Sequence, residues 1–244
     1  MKNPRFISKY SSQRGFVTDH KTGEQHRGDS QLETEFLTLL VFLIGSEVKS
    51  IKDHPFDIEY KNPNGRWVKY PPDVHIVTTR ASSTGEMNII IEVKSKSNLY
   101  PTYARYEKIL EHAHEGMKYA RDKGSDWTYL IFTEREIWVP LLRSVEFLEN
   151  YAADFYKDAK VAREIEEAVT WSPGITIKQL EKDFGSKSLH TVYHLFYHHI
   201  LEFDYRIDLR PERKRYDASV YPPSRKPLGY FDLIEPLDIE VWSK

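Results

Sequence analysis

Two acids and one amine stand where apolar patterns end in this chain, and their types suit one chemistry. Asp73 follows Tyr70-Pro71-Pro72 and opens the alternating run Val74-His75-Ile76-Val77. Glu92 and Lys94 close the run Asn88-Ile89-Ile90-Ile91-Glu92-Val93-Lys94. Side chains of a strand alternate between its faces, so Glu92 and Lys94 point one way and Ile89, Ile91 and Val93 the other. Two close carboxylates repel, and burial penalises both charges. A divalent cation removes that conflict: Mg²⁺ takes oxygen ligands and keeps several waters, with substrate phosphates completing its shell. Such an ion acidifies a bound water and stabilises the attacking and leaving oxygens at phosphorus. Lys94 would orient that water or neutralise charge on the phosphate. The bland alternative is an ordinary hairpin with a surface salt bridge, since an Asp followed by Glu-x-Lys recurs by chance.

The elements that must position these residues are legible as patterns. Leu32, Phe36, Leu39, Leu40 and Leu43 follow the spacing of a buried helix face, predicting a helix over residues 30–44 capped by Asp29 or Ser30. Glu33 falls in its first turn, where the helix dipole alone favours an acid. The sharper alternative has Glu33 lean over the sheet edge as a further metal ligand, with Glu35 and Glu47 competing for that place. Short strands follow over 48–51, 56–60 and 67–70, the last two about the turn Asn62-Pro63-Asn64-Gly65. A hairpin of 73–78 with 88–94 brings Asp73 and Glu92 to one sheet edge, with His75 on the Asp73 face as a tuner of the site. Tyr106, Ile109, Leu110, Ala113, Met117 and Ala120 stripe a helix over 103–123 that Gly124 ends. That helix crosses over to a buried strand at 127–132, parallel to the Glu92 strand. Its Arg105, Lys108, Lys118, Arg121 and Lys123 read as a solvated face.

In their order and spacing these motifs resemble the TnsA family, the endonuclease subunit of heteromeric cut-and-paste transposases. Leu32-Glu33 with Phe36, Pro72-Asp73, Ile91-Glu92-Val93-Lys94 and Thr133-Glu134-Arg135-Glu136-Ile137 carry the resemblance, over roughly residues 13–140. It implies a restriction-endonuclease-like α/β fold, a mixed sheet flanked by helices, and a smaller winged-helix-like C-terminal domain. It also implies catalytic residues at Glu33, Asp73, Glu92 and Lys94. Glu33, Asp73 and Glu92 would be metal ligands for Mg²⁺, with Mn²⁺ as a substitute and two ions in the site. The implied activity is cleavage of the 5′ strands at transposon ends, beside a TnsB-like transposase that handles the 3′ ends and a TnsC-like ATPase that regulates both. Two other functions compete: a catalytically silent adaptor that docks transposase and ATPase, and a stand-alone restriction- or repair-type nuclease.

Composition bounds the rest. A length of 244 residues suits one or two domains, divided here as 1–143 and 144–244. The absence of cysteine excludes disulfides, a cysteine nucleophile and a thiolate zinc site. No apolar run approaches the roughly 20 residues of a membrane span, so a soluble, cytoplasmic bacterial protein is expected, nucleoid-associated during transposition. The net charge of −2 hides basic ends, each with a local excess of positive charge over 1–28 and 205–228. Residues 1–28 read as an extended arm, and Arg14, Lys21, Arg27, Lys96 and Lys187 are the candidate DNA contacts.

Past residue 140, Pro140 reads as a break, with helical segments at 144–157 and 158–170. Two short helices, 175–184 and 188–201, then precede candidate wing strands at 203–209 and 216–221. The second short helix is the candidate for a DNA groove or a protein partner. Its His190, His194 and His198, spaced by four, raise a zinc site as a minor alternative to phosphate contact or stacking in an interface.

Overall fold

A computed structural model describes residues 15–19, 22–78, 86–153, 158–210, 217–223 and 229–233. The chain opens with a hairpin, β1 (Gly15–Thr18) antiparallel to β2 (Gln25–Gly28), packed on helix α1 (Gln31–Leu43). This corrects the extended arm for the part of it that is described. The expected contacts Arg14 and Lys21 lie outside the described residues. Gly28 is required where β2 meets α1: a Cβ there would fall 2.7 Å from the Thr34 backbone nitrogen.

The central sheet has the order β3 (Val48–Asp53), β6 (Val74–Thr78), β7 (Met87–Val93), β8 (Trp127–Phe132). A side hairpin, β4 (Ile58–Lys61) with β5 (Trp67–Tyr70), turns where the Asn62–Gly65 signal demands, with Gly65 at φ 74°. β3 pairs antiparallel with β6, a pairing the patterns leave open; β6 with β7 antiparallel, and β7 with β8 parallel across helix α2 (Tyr106–Lys123), match the predicted hairpin and crossover. The sheet is buried on both faces. Ile89, Ile91, Val93, Val74 and Ile76 pack with Leu32, Phe36, Leu39, Leu40 and Leu43 of α1. Ile90, Tyr129 and Ile131 pack with Ile109, Ala113 and Ala120 of α2. The result is a mixed four-stranded sheet between helices, consistent with an endonuclease-like fold.

Thr133 caps the short helix α3 (Glu134–Ile137), and its hydroxyl and backbone N–H both donate to Glu136. Pro140 does not break the pattern but opens helix α4 (Pro140–Leu148) at its first turn, where the missing N–H costs nothing. Residue 143 therefore sits inside a helix, and Leu141, Leu142, Val145 and Leu148 join the core that also holds α1. Then follow α5 (Ala159–Trp171), β9 (Ile175–Thr176), α6 (Ile177–Phe184), α7 (Ser188–Tyr197), β10 (Glu202–Phe203), β11 (Ser219–Tyr221) and α8 (Tyr230–Leu233). β9, β11 and β10 form a small antiparallel sheet, with strands shorter than the wings expected at 203–209 and 216–221.

Helix α7 departs most from expectation. Of its residues only His190 is exposed, and Leu189, Val192, Leu195 and Phe196 are core. An element enclosed in this way cannot lie in a DNA groove. Its histidines are used internally: His194 Nδ1 donates to the Tyr151 carbonyl at 2.9 Å and His198 Nε2 to the Ala152 carbonyl at 2.9 Å. They tie the helix to the segment after α4, which answers the zinc alternative. No helix among the described residues is long and apolar enough to cross a membrane.

Candidate active site

Asp73 leaves β5 through Pro71-Pro72 and sits one residue before β6, whose Val74 pairs with Ile91 of β7. The register sets Asp73 beside the end of β7, where the Val93 backbone N–H donates to its Oδ2 at 2.7 Å. Glu92, only 4 % exposed, projects to the α2 side of the sheet with Ile90. Lys94 bridges the two acids, its Nζ 2.5 Å from Glu92 Oε1 and 3.1 Å from Asp73 Oδ2. Its third proton goes to the Val93 carbonyl at 3.0 Å. Three oxygens from three residues thus converge on one cation.

Two carboxylates share that single ammonium, and Glu92 carries the consequence. Burial and then the Asp73 charge push Glu92 up to about 7, against the pull of Lys94 and of a hydrogen bond from Tyr70. Burial by itself would lower the Lys94 ammonium, but Asp73 and Glu92 overcome it and hold the pKa above its ordinary value. Lys94 is therefore charged throughout the physiological range, and Glu92 is the group poised to titrate.

Glu33 stands apart from this trio. Its Oε2 accepts from the Asp29 backbone N–H at 2.8 Å and its Oε1 from the Ser30 hydroxyl at 2.9 Å, while Ser30 Oγ caps the Glu33 N–H at 3.2 Å. Both oxygens serve the start of α1, as the bland reading has it. Yet Glu33 lines the same cavity as Glu92 and Lys94, of about 590 Å³. Its pKa is raised by burial and then by Asp73. Of its competitors, Glu35 bonds to the Trp138 indole, and Glu47 is buried against the backbone of Tyr230 and Phe231.

Sequence reasoning missed the shell behind Glu92. The Tyr70 hydroxyl donates to Glu92 Oε2 and lies 2.9 Å from the Tyr129 hydroxyl. Burial drives both phenols well above their ordinary pKa, so they stay protonated. His112 of α2 stacks on the Tyr70 ring with centroids 4.0 Å apart. Gly116, one turn on, gives Tyr129 its room: a Cβ there would fall 2.3 Å from the ring. The only available signal was position, since Tyr70 precedes the Pro-Pro-Asp stretch directly. On the lower side, Glu134 accepts from the Ser95 hydroxyl at 2.5 Å and the Lys96 N–H at 2.8 Å, fixing the chain just past Lys94.

Other expected contacts fare differently. Arg27 is taken by Asp29, its Nη2 2.7 Å from Oδ1. Lys96 and Lys187 are exposed, Lys96 just past Lys94 and Lys187 ahead of α7. His75 bonds to Asn88 at 3.1 Å and stacks on Trp127 rather than meeting the acids.

The donor set suits a hard cation: two carboxylates and a carbonyl, all oxygen, already arranged around a positive charge. It suits one ion better than two. Among the described residues no group of three His, Cys, Asp or Glu is placed to hold a metal ion, and both oxygens of Glu33 are taken by its cap.

No curated protein matches the chain. Residues 45–134 match the family model described as TnsA-like endonuclease N terminal, a segment that holds Asp73, Glu92 and Lys94 but not Glu33. Over that segment the chain is similar to the N-terminal endonuclease domain of TnsA-like proteins.

Proposed function

We propose that this protein is a metal-dependent DNA endonuclease that cuts the 5′ strands at transposon ends as one subunit of a heteromeric transposase. The observation that carries the reading is the convergence of Asp73, Glu92 and the Val93 carbonyl on the Lys94 ammonium, with Glu92, Val93 and Lys94 lining a cavity and all four residues inside the family-matched segment. Asp73 and Glu92 would hold Mg²⁺ or Mn²⁺, with the Val93 carbonyl as a third oxygen, once Lys94 gives up its bonds to them and swings beside the ion. Bound there, the ion supplies acidification of a water and neutralisation of phosphate charge. Glu33 is a candidate to join only if it leaves its helix cap.

The chain's own groups define the remaining roles. Tyr70, itself bonded to Tyr129, aims the Glu92 carboxylate and favours its ionised form. Lys94, charged and adjacent, steadies negative charge at a phosphate that enters the cavity. The C-terminal order α5, β9, α6, α7, β10, β11 supports a winged-helix-like unit, with α7 as its core rather than its reading head. We assign that unit to partner docking, with a TnsB-like transposase and a TnsC-like ATPase as the partners and the bacterial cytoplasm as the setting.

The test is strand-resolved cleavage of a transposon-end duplex in Mg²⁺, with and without the partner transposase. The expected result is 5′-strand cutting that needs the partner and is lost in Asp73→Asn and Glu92→Gln. Site-specific cutting without a partner would point to a stand-alone nuclease. Undiminished cutting by both variants would remove the reading altogether.

A further inference from the structure

The cavity has a second wall that the acids do not use. The same cavity is lined by Arg105, the N-cap of helix α2, and by Lys108 and His112 on the helix itself, spaced by three and four. Arg105 and Lys108 are exposed and make no ion pair with another described residue. Deeper in, His112 Nε2 is buried without a hydrogen-bond partner. Burial and then the charge of Lys108 hold this imidazole down at about 4, so it is neutral at physiological pH. One wall of the cavity thus carries surplus negative charge. The other carries two unpaired positive charges and an unsatisfied ring nitrogen.

A ligand that satisfies both walls needs anionic oxygens facing α2. We propose that Arg105 and Lys108, with His112 behind them, form a subsite for a backbone phosphate of the DNA strand being cut, next to the phosphate that Asp73, Glu92 and Lys94 act on. The inference rests on the nuclease reading of the cavity and adds the contact that sets the strand's register there. Arg105 and Lys108 supply charge. His112, in its Nε2–H tautomer, donates one uncharged hydrogen bond and orients the phosphate. Arg105 and Lys108 were expected to be a solvated face, and their place on the cavity wall is what changes that assignment.

The test is binding of a fluorescent DNA duplex to the full chain by anisotropy, in chelator so that no strand is cut, across a salt series. Each phosphate contact contributes about 0.9 to the slope of log affinity against log salt. Arg105→Ala with Lys108→Ala should lower the slope by about 0.9, the loss of one neutralised phosphate. Lys118→Ala with Arg121→Ala, on the same helix away from the cavity, should leave it unchanged. His112→Phe keeps a ring against Tyr70 and should weaken binding about fivefold with the slope intact. Equal slope losses from the two double variants would mean diffuse attraction by the helix and would overturn the subsite. So would unchanged affinity in the Arg105/Lys108 variant. Neither outcome touches the nuclease reading, which stands or falls on cleavage by the Asp73 and Glu92 variants.

Discussion

Two buried glutamates in this protein have nearly the same neighbours and opposite uses. Glu92 accepts from the hydroxyl of Tyr70 and pairs with Lys94; Glu202, 2 % exposed, accepts from Tyr205 at 2.8 Å, Ser46 at 3.1 Å and His199 at 2.9 Å. Both ring nitrogens of His199 are engaged, Nδ1 2.9 Å from Glu202 Oε1 and Nε2 against the Phe42 carbonyl. That cluster ties the start of β10 to the end of α1. At Glu92 a second carboxylate shares the cation, a third lies nearby, and the group opens on a cavity. Burial and hydrogen bonding are common to both. Surplus negative charge with room for a ligand separates a site from a strut.

The largest effects should break that contrast outright. Asp73→Asn or Glu92→Gln is expected to cost about 10³-fold or more in metal-dependent cutting, measured in single turnover. Melting temperatures of these variants should hold or rise, because each removes a like-charge repulsion. Glu202→Ala should do the reverse. It strands the His199 ring and two hydroxyls, costing about 2–4 kcal/mol by denaturant unfolding, and leaves the cutting rate of the folded fraction intact.

Smaller effects sharpen the comparison through pH. The folded pKa of Glu92, near 7, lies above its ordinary value of 4.5, so the native state keeps this proton longer than the unfolded chain does. Its contribution to stability is therefore full below the ordinary value and declines as pH rises toward 7. Thermal melts between pH 5 and 8 should show that decline, and Glu92→Gln should flatten it. Tyr70→Phe removes a bond that favours the carboxylate, so the acid limb of the cutting profile should move to higher pH. The smallest expected effect is Gly116→Ala, at about 1–2 kcal/mol, from crowding Tyr129 and through it Tyr70.

Much of the sheet was legible because its signals are local. The Asn62–Gly65 turn, the β-branched run before Glu92 and the α2 stripe each fix an element without help from the rest of the chain. The pairing of Asp73 with Glu92 followed from hairpin geometry. What stayed hidden depends on contacts between distant segments. Tyr70, Tyr129 and His112 come together only once α2 has crossed over the sheet. The commitment of Glu33 to its cap is a local competition that no spacing rule decides. Helix α7 misled for a related reason: spaced histidines look like an outward face, whereas here they satisfy carbonyls beyond α4 inside a core. Pro140 was ambiguous because proline stops one helix and starts another equally well.

The central claim is that Asp73 and Glu92 hold a divalent cation, and Mn²⁺ titration followed by electron paramagnetic resonance tests it most directly. Wild-type protein and Glu202→Gln should each bind one Mn²⁺ at a saturable site, and the double variant Asp73→Asn with Glu92→Gln should bind none. Mn²⁺ binding that survives in the double variant at wild-type affinity would contradict the account.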